Sequence, residues 1–184
     1  PDFGYLTDAM IVNQGEAIDI STLIQPKAEG EIAFLLMRDL MGPGGGVSEV
    51  LAATECVMPC FEIVDSRIRD WKIKIQDTVA DNASCGVFVL GDRVVSPLDV
   101  DLNTCGMILE KNGEIVAMAA GAAVMGHPAA AVAALANHLG ARGRSIPAGS
   151  FIMTGGVTEA IAVKPGDSVA VRFQDLGTVA MRFV

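Results

Sequence analysis

The chain has 184 residues, 51% of them hydrophobic, and a formal net charge of −9 at pH 7. This length is sufficient for one ordinary domain with a sizeable core. The negative charge argues against nucleic acids and anionic membrane surfaces as partners, and a chain of this charge that binds organic acids needs a local positive centre such as a metal ion.

The first strongly patterned element is the apolar run from Ile32 to Met37, after weak strand character over Glu16–Leu23. A run without polar alternation predicts a strand that is buried on both faces. Glu29 and Glu31 stand at its start, and their spacing of two residues points both side chains the same way on a strand. Two like charges beside a core are unfavourable unless something positive lies between them.

A second buried strand is predicted over Cys56–Val64, and it carries Glu62 near its end. Three carboxylates from two strands are what a hard divalent cation needs, with its remaining positions left to water or substrate. The alternative is a pair of exposed glutamates on an edge strand and an unrelated charge at a bulge. From the spacing alone both interpretations stay open.

The chain beyond this strand is more polar. Ile68–Ile75 alternates apolar and charged residues, which predicts a half-exposed strand or a short amphipathic turn. In Asp77–Gly86 the polar groups of Asp81, Asn82 and Ser84 can cap, turn and donate to an anion in one place. Taken alone, this pattern favours an elaborate helix cap or Asx turn.

The second half of the chain contains clear turn signals. Asn112-Gly113 between apolar runs predicts a hairpin, and Ala129–Leu139 predicts a helix with a proline in its first turn. Phe151–Thr154 predicts a strand that leads into Gly155-Gly156, either an ordinary turn or a close backbone approach to a ligand. Many short strands and only one or two helices together predict one mixed, β-rich α+β domain.

One segment, Ile115–Ala141, carries no Asp, Glu, Lys or Arg and is long enough to span a bilayer. It is mostly alanine and glycine and is interrupted by His127-Pro128, so we interpret it as buried strand, turn and core helix. The four cysteines lack CxxC spacing and lie in apolar segments, which favours a reducing compartment and hence the cytoplasm.

Three motifs carry a family resemblance: Gln25-Pro-Lys-Ala-Glu-Gly-Glu-Ile, Phe61-Glu-Ile-Val-Asp-Ser-Arg-Ile and Asp77-Thr-Val-Ala-Asp-Asn-Ala-Ser-Cys-Gly. They closely resemble the 2-oxopent-4-enoate hydratases of meta-cleavage pathways, which belong to the fumarylacetoacetate hydrolase superfamily. The resemblance covers essentially the whole chain. It implies a mixed β-sandwich or roll with one or two short helices.

The resemblance also implies the residues of the active site. It makes Glu29, Glu31 and Glu62 ligands to Mg²⁺ or Mn²⁺, and it assigns catalytic roles to Asp2 and Ser84. The residues that it places against the substrate are Arg67, Asp81, Asn82, Thr154 and Gly155. Arg67 carries the alternative of a simple ion pair with the nearby Asp65.

The reaction that the resemblance implies is addition of water to 2-hydroxypenta-2,4-dienoate, giving 4-hydroxy-2-oxopentanoate. From Gly121 onward the chain resembles the 4-oxalocrotonate decarboxylases more, so release of CO₂ from 2-oxohex-3-enedioate is the alternative. A non-catalytic partner subunit that keeps the fold is a second alternative, and divalent metal binding discriminates against it.

Family members carry several dozen residues before the stretch that Pro1–Met10 resembles. We therefore expect residues 1–184 to form a single catalytic domain lacking an N-terminal segment. We also expect this chain alone to be nearly inactive, because the family's N-terminal lysine lies in that segment. The expected partners are a small 2-oxo or 2-hydroxydienoic acid, further copies in a homo-oligomer, and pathway enzymes such as the hydratase, decarboxylase or aldolase.

Overall fold

The computed structural model describes residues 2–184, which form two five-stranded sheets and three α-helices. Short 3₁₀ turns join several of these elements. The strands are β1 (Ala17–Ile18), β2 (Lys27–Leu36), β3 (Thr54–Val64), β4 (Cys85–Leu90), β5 (Gly106–Lys111), β6 (Glu114–Ala120), β7 (Phe151–Met153), β8 (Ile161–Ala162), β9 (Ser168–Phe173) and β10 (Gly177–Phe183), and the helices are α1 (Val47–Ala53), α2 (Ile75–Ala80) and α3 (Pro128–Gly140).

The first sheet has the order β4-β3-β2-β7, with β8 paired to the start of β2. The second sheet has the order β1-β10-β9-β5-β6. Neighbouring strands are antiparallel except β1, which runs parallel to β10 with Ala17 opposite Arg182. The first and the last strands of residues 2–184, β1 and β10, are therefore paired with each other.

Strand β2 presents different side chains to its two faces. Ala28, Ile32 and Phe34 point into the core between the sheets and are fully buried. Gly30 lies in the same row, where an added Cβ would stand 2.7 Å from the Cγ2 atom of Val171 on β9. Glycine at this position therefore lets the two sheets approach each other closely.

The outer face of the first sheet is also covered. Ala33, Met58 and Cys60 are buried there in a small apolar cluster, apart from the main core. Burial on both faces explains the apolar run without alternation, and this prediction for β2 is confirmed. Glu29 and Glu31 alternate with the inward residues and so belong to this outer face.

The helices pack at one end of the molecule. α3 buries an alanine-rich face and packs against α1, and the Asn137 side chain bonds both the amide and the carbonyl of Gly45 at distances of 3.1 and 2.9 Å. The predicted helix over Ala129–Leu139 and the hairpin at Asn112-Gly113 are confirmed. No helix of residues 2–184 has the length and apolar character needed to cross a membrane.

The structure has three α-helices, where one or two were expected. The additional element is α2, which follows a 3₁₀ turn at Arg69–Trp71. None of its residues is buried, so it gives the sequence no apolar periodicity by which it could be recognised. Of the two interpretations of Ile68–Ile75, the turn is correct and the half-exposed strand is wrong.

Candidate metal centre

The centre is built on the pairing of β2 with β3. Glu29 lies directly opposite Glu62 across the two strands, and Glu31 follows on the same face of β2. One carboxylate oxygen from each of the three side chains lies within 4.8 Å of the other two. The structure thus brings together the three glutamates that the sequence singles out.

The electrostatics of these carboxylates are unfavourable without a cation. Glu31 is fully buried, and burial together with the charges of Glu62 and Glu29 raises its pKa well above the usual value. Burial and the charge of Glu62 raise the pKa of Glu29 to about 7. The pKa of Glu62 is also raised, mainly by burial.

Two backbone amides complete one side of the centre. The amide of Gly155 donates a hydrogen bond of 2.8 Å to Oε2 of Glu31, and the amide of Gly156 hydrogen-bonds Glu29. A Cβ added to Gly156 would lie 2.8 Å from Oε2 of Glu29. The backbone amides of the two glycines therefore orient the carboxylates of Glu31 and Glu29. This segment does more than reverse the direction of the chain.

The residues present fit a divalent metal ion. The other oxygen of Glu31, Oε1, is buried and has no hydrogen-bond partner within residues 2–184. A buried carboxylate oxygen without a partner is costly, and a cation would satisfy it. An all-carboxylate donor set of this kind suits a hard ion such as Mg²⁺ or Mn²⁺.

The segment that carries Asp2 lies beside the centre. The negative charge of Asp2 contributes to the raised pKa of both Glu29 and Glu62. The segment is fixed by Asn82, whose Oδ1 accepts from the Tyr5 amide at 2.7 Å and whose Nδ2 donates to the Tyr5 carbonyl at 2.9 Å. The side-chain amide of Asn82 thus already has hydrogen-bond partners in the backbone of Tyr5.

Ser84 and Arg67 are held by Asp81. The buried Ser84 hydroxyl donates to Oδ2 of Asp81 at 3.0 Å, and the backbone amide of Arg67 donates to the same oxygen at 3.0 Å. The Arg67 guanidinium lies 3.6 Å from Asp81 and also donates to the carbonyls of Asp65 and Cys85. The ion-pair partner of Arg67 is therefore Asp81, and the Asp65 carboxylate instead accepts from the amides at the entrance to β2.

Thr154 immediately precedes Gly155, whose amide bonds Glu31. Its buried hydroxyl donates a hydrogen bond of 3.0 Å to the carbonyl of Ile32 on β2. This bond ties the end of β7 to the strand that carries the glutamates. Gly155 follows with a positive φ of 89°, which turns its amide toward Glu31.

Several residues near the centre were not predicted. Lys27 occupies the same face of β2 as Glu29, lies 4.4 Å from the ring centre of Trp71, and lowers the pKa of Glu29 in part. Its spacing of two residues from Glu29 is a signal that could have identified it. Cys85 hydrogen-bonds Glu62, and Oγ1 of Thr158 is buried without a partner within the described residues; no local pattern marks either residue.

The chain thus combines a β-rich fold of two sheets with three glutamates that could hold one metal ion. The chain belongs to the fumarylacetoacetate hydrolase family, because the model of the fumarylacetoacetate (FAA) hydrolase C-terminal region matches residues 1–184. The family assignment made from the three motifs is therefore confirmed.

Individual relatives are similar over most of the chain. A 2-hydroxypent-2,4-dienoate hydratase of Pseudomonas putida is 71% identical over 141 residues, which are 76% of this chain and 64% of that protein. A 2-hydroxyhexa-2,4-dienoate hydratase of Comamonas testosteroni is 53% identical over the whole chain and 70% of its own length. The first match therefore spans less than two thirds of its relative.

A solved structure has the same fold. The 4-oxalocrotonate decarboxylase from Pseudomonas putida G7, complexed with magnesium and adipate, superposes with a TM-score of 0.95 at 49% identity. The match covers 98% of this chain and 69% of that one. Similarity at this level extends to both the hydratases and the decarboxylases.

Proposed function

We propose that this chain is the catalytic part of a metal-dependent hydratase that converts 2-hydroxypenta-2,4-dienoate into 4-hydroxy-2-oxopentanoate. The observation that carries the proposal is the convergence of Glu29, Glu31 and Glu62, with the unpartnered oxygen of the buried Glu31 among them. The 71% and 53% identities to two dienoate hydratases support the choice of substrate class.

Glu29, Glu31 and Glu62 would hold one Mg²⁺ or Mn²⁺ on the outer face of the first sheet. When bound, such an ion would supply Lewis-acid chemistry, which stabilises negative charge that develops on an oxygen of the substrate. The amides of Gly155 and Gly156 keep two of the ligands in place. A magnesium complex of the similar decarboxylase supports the choice of ion.

The chain's own residues then handle protons and orientation. We assign Asp2 as the acid or base that exchanges a proton with the water added at C4, because its segment is anchored beside the centre. Ser84, held by Asp81, and Arg67, whose side chain is 45% exposed, are assigned to anchor the substrate carboxylate. Thr154 supports the ligand strand through Ile32 and lies one residue from the orienting amides.

The experiment supplies 2-hydroxypenta-2,4-dienoate and Mg²⁺ to the full-length enzyme, which includes the N-terminal segment expected from the family, and follows ultraviolet absorbance and product NMR. We expect 4-hydroxy-2-oxopentanoate to form, and we expect Glu62→Gln to abolish turnover together with Mg²⁺ binding. The matched control is Glu55→Gln, an exposed glutamate on the same strand β3. Full turnover by Glu62→Gln contradicts the proposal.

Decarboxylation is the second candidate, because a 4-oxalocrotonate decarboxylase of Pseudomonas putida is 50% identical over the whole chain. A metal-held 2-oxo acid serves both reactions, so the triad does not separate them. Supplying 2-oxohex-3-enedioate in a parallel assay does. Release of CO₂ from this diacid without hydration of the dienoate selects the decarboxylase.

The assembly and location of the protein stay predictions. A homo-oligomer is checked by light scattering of the purified enzyme, and a complex with pathway enzymes by co-elution with the decarboxylase or aldolase. The predicted cytoplasmic location is checked by fractionation of the producing cells. Turnover by residues 1–184 alone tests whether the N-terminal lysine of the family is required.

A further inference from the structure

We propose that Asn82 is a positioning residue that holds the segment Asp2–Tyr5 against the metal centre and thereby fixes the Asp2 carboxylate at the reacting carbon. The inference rests on the proposed function, because it concerns the acid or base of that reaction. In this proposal Asn82 acts on the reaction by positioning Asp2. The family resemblance instead implies a direct contact between Asn82 and the substrate.

The contact between Asn82 and the segment is a paired one. The side-chain amide uses its acceptor for the Tyr5 N–H and its donor for the Tyr5 carbonyl, at 2.7 and 2.9 Å. It therefore binds the backbone as a neighbouring strand would. The segment also approaches closely at Gly4, where a Cβ would lie 2.6 Å from the Asn82 carbonyl oxygen.

The other side of the contact is rigidly joined to the centre. Asn82, Ala83 and Ser84 all have φ between 56° and 58°, a left-handed conformation that asparagine tolerates better than most residues. The Ser84 carbonyl accepts from the amide of Asp65 at 2.7 Å, just beyond the end of β3. The turn thus transmits the position of the strand that carries Glu62 to the segment that carries Asp2.

Two further contacts hold the outer side of the segment. The ring of Phe3 lies 4.9 Å from that of His138 near the end of α3, and the exposed Tyr5 hydroxyl accepts from Arg144 at 3.1 Å. These contacts tie the segment to the end of α3 and to the turn after it, and neither of them involves Asp2 or the triad. The pair of bonds to Asn82 is the link that sets its distance from the carboxylates.

Geometry of this kind matters because proton transfer requires the donor and acceptor within hydrogen-bond reach. A displacement of about 1 Å costs roughly 100-fold in rate. Loss of Asn82 should therefore lower kcat much more than it raises KM. Mg²⁺ affinity should change little, since Glu29, Glu31 and Glu62 do not depend on the segment for their orientation.

The test uses Asn82→Gly, which keeps the left-handed backbone without strain and removes the amide. In the Mg²⁺-loaded enzyme we expect kcat for hydration to fall roughly 10- to 100-fold, with KM and the Mg²⁺ dissociation constant within about twofold. The kcat of Asn82→Asp should fall by a similar factor, because a carboxylate cannot donate a hydrogen bond to the Tyr5 carbonyl. The matched control, Asn13→Ala, removes an exposed amide that bonds only within its own surface turn to Glu16.

Two further measurements separate positioning from general damage. Amide exchange of a peptide covering residues 2–6 should be about tenfold or more faster in Asn82→Gly than in the unaltered enzyme. In an Asp2→Asn background, Asn82→Gly should lower kcat no further, because the group that it positions is already absent.

An unaltered kcat in Asn82→Gly overturns the proposal. The proposal also fails if Asn82→Gly lowers kcat by the same factor in the Asp2→Asn background as in the unaltered enzyme. Unaltered exchange in residues 2–6 overturns it as well. Full activity of Asp2→Asn overturns the role of both residues while the hydratase assignment stands. Absence of hydration by the unaltered enzyme overturns the proposed function, and the exchange experiment then still reports whether Asn82 holds the segment.

Discussion

Glu31 is the residue at which the chemistry of the centre and the stability of the fold conflict. Its side chain is fully buried, and its Oε1 atom has no partner within the described residues. Such a group destabilises the metal-free protein and stabilises the metal-bound one. Because of this conflict, binding of a metal ion at the site can be followed as an increase in the melting temperature of the protein.

We predict that Glu31→Gln raises the melting temperature of the metal-free protein by roughly 2–4 °C at pH 7, about 1 kcal/mol, because a neutral amide avoids the cost of protonating this buried carboxyl group on folding. The same variant should lose the rise in melting temperature that Mg²⁺ gives the unaltered protein. Differential scanning fluorimetry with and without Mg²⁺ measures both effects. A Mg²⁺-dependent rise that survives in Glu31→Gln contradicts the assignment of Glu31 as a ligand.

Gly156 provides a second prediction at the scale of single residues. Gly156→Ala should weaken Mg²⁺ binding about tenfold or more, because the new Cβ would stand 2.8 Å from Oε2 of Glu29. Isothermal titration calorimetry gives the dissociation constant. Gly106→Ala is the control, since its Cβ meets only Gln174 at an ordinary 3.6 Å; an equal effect of both variants would contradict the prediction.

At the scale of elements, the β5–β6 hairpin is fastened to the start of β9 by Asp167. This buried carboxylate pairs with Lys111 at 2.8 Å and accepts from Asn112 at 2.9 Å and from the Lys164 amide at 3.0 Å. Hydrogen bonds from Lys111 and Asn112 lower the pKa of Asp167 to about 2, against 3.8 for an unperturbed aspartate.

Because the pKa is lower in the folded state, the stabilisation is present above pH 4 and is lost as the pH falls toward 2. We predict that Asp167→Asn lowers the free energy of unfolding by about 1.5–3 kcal/mol at pH 6, and that this difference from the unaltered protein shrinks below pH 4. Urea unfolding across this pH range measures it. Asp99→Asn, at an exposed site, should show no such dependence; a difference for Asp167→Asn that is constant with pH would contradict the linkage.

The elements differ in how far the sequence alone predicts them. β2, β3 and the Asn112-Gly113 hairpin follow from local patterns, because burial and turn chemistry act on neighbouring residues. α2 escapes because none of its residues is buried. Strand spacing put Glu29 and Glu31 on one face but left the metal site open, and the family resemblance decided in favour of the triad. Lys27 on the same face was accessible to the same spacing argument.

The remainder of the centre depends on contacts between distant parts of the chain. The bond from the Gly155 amide to Glu31 joins residues 124 apart, and those from Asn82 to Tyr5 join residues 77 apart. No local periodicity encodes such pairs, so their partners were not predictable from one sequence. The roles expected for Ser84, Arg67 and Thr154 stay predictions, although the structure shows what each side chain contacts.

At the scale of the whole molecule, Gly30 sets the separation of the two sheets. We predict that Gly30→Ala lowers the free energy of unfolding by about 1–3 kcal/mol, because its Cβ would meet the Val171 side chain at 2.7 Å. Val171→Ala should recover part of this loss in the double variant. Denaturant unfolding of the four proteins gives the coupling energy, and simple additivity of the two changes would contradict the contact.

The parallel pairing of β1 with β10 has a consequence for how the protein is made. Ala17 and Ile18 lie opposite Arg182 and Phe183, and the Ile18 carbonyl accepts from the Val184 amide. On a ribosome β1 must therefore wait, with this hydrogen-bonding edge unpaired, until β10, about 165 residues further along, has been synthesised. Pairing across such a sequence separation is slow, and unpaired strand edges promote association between nascent chains, so synthesis rate and temperature should govern the soluble yield.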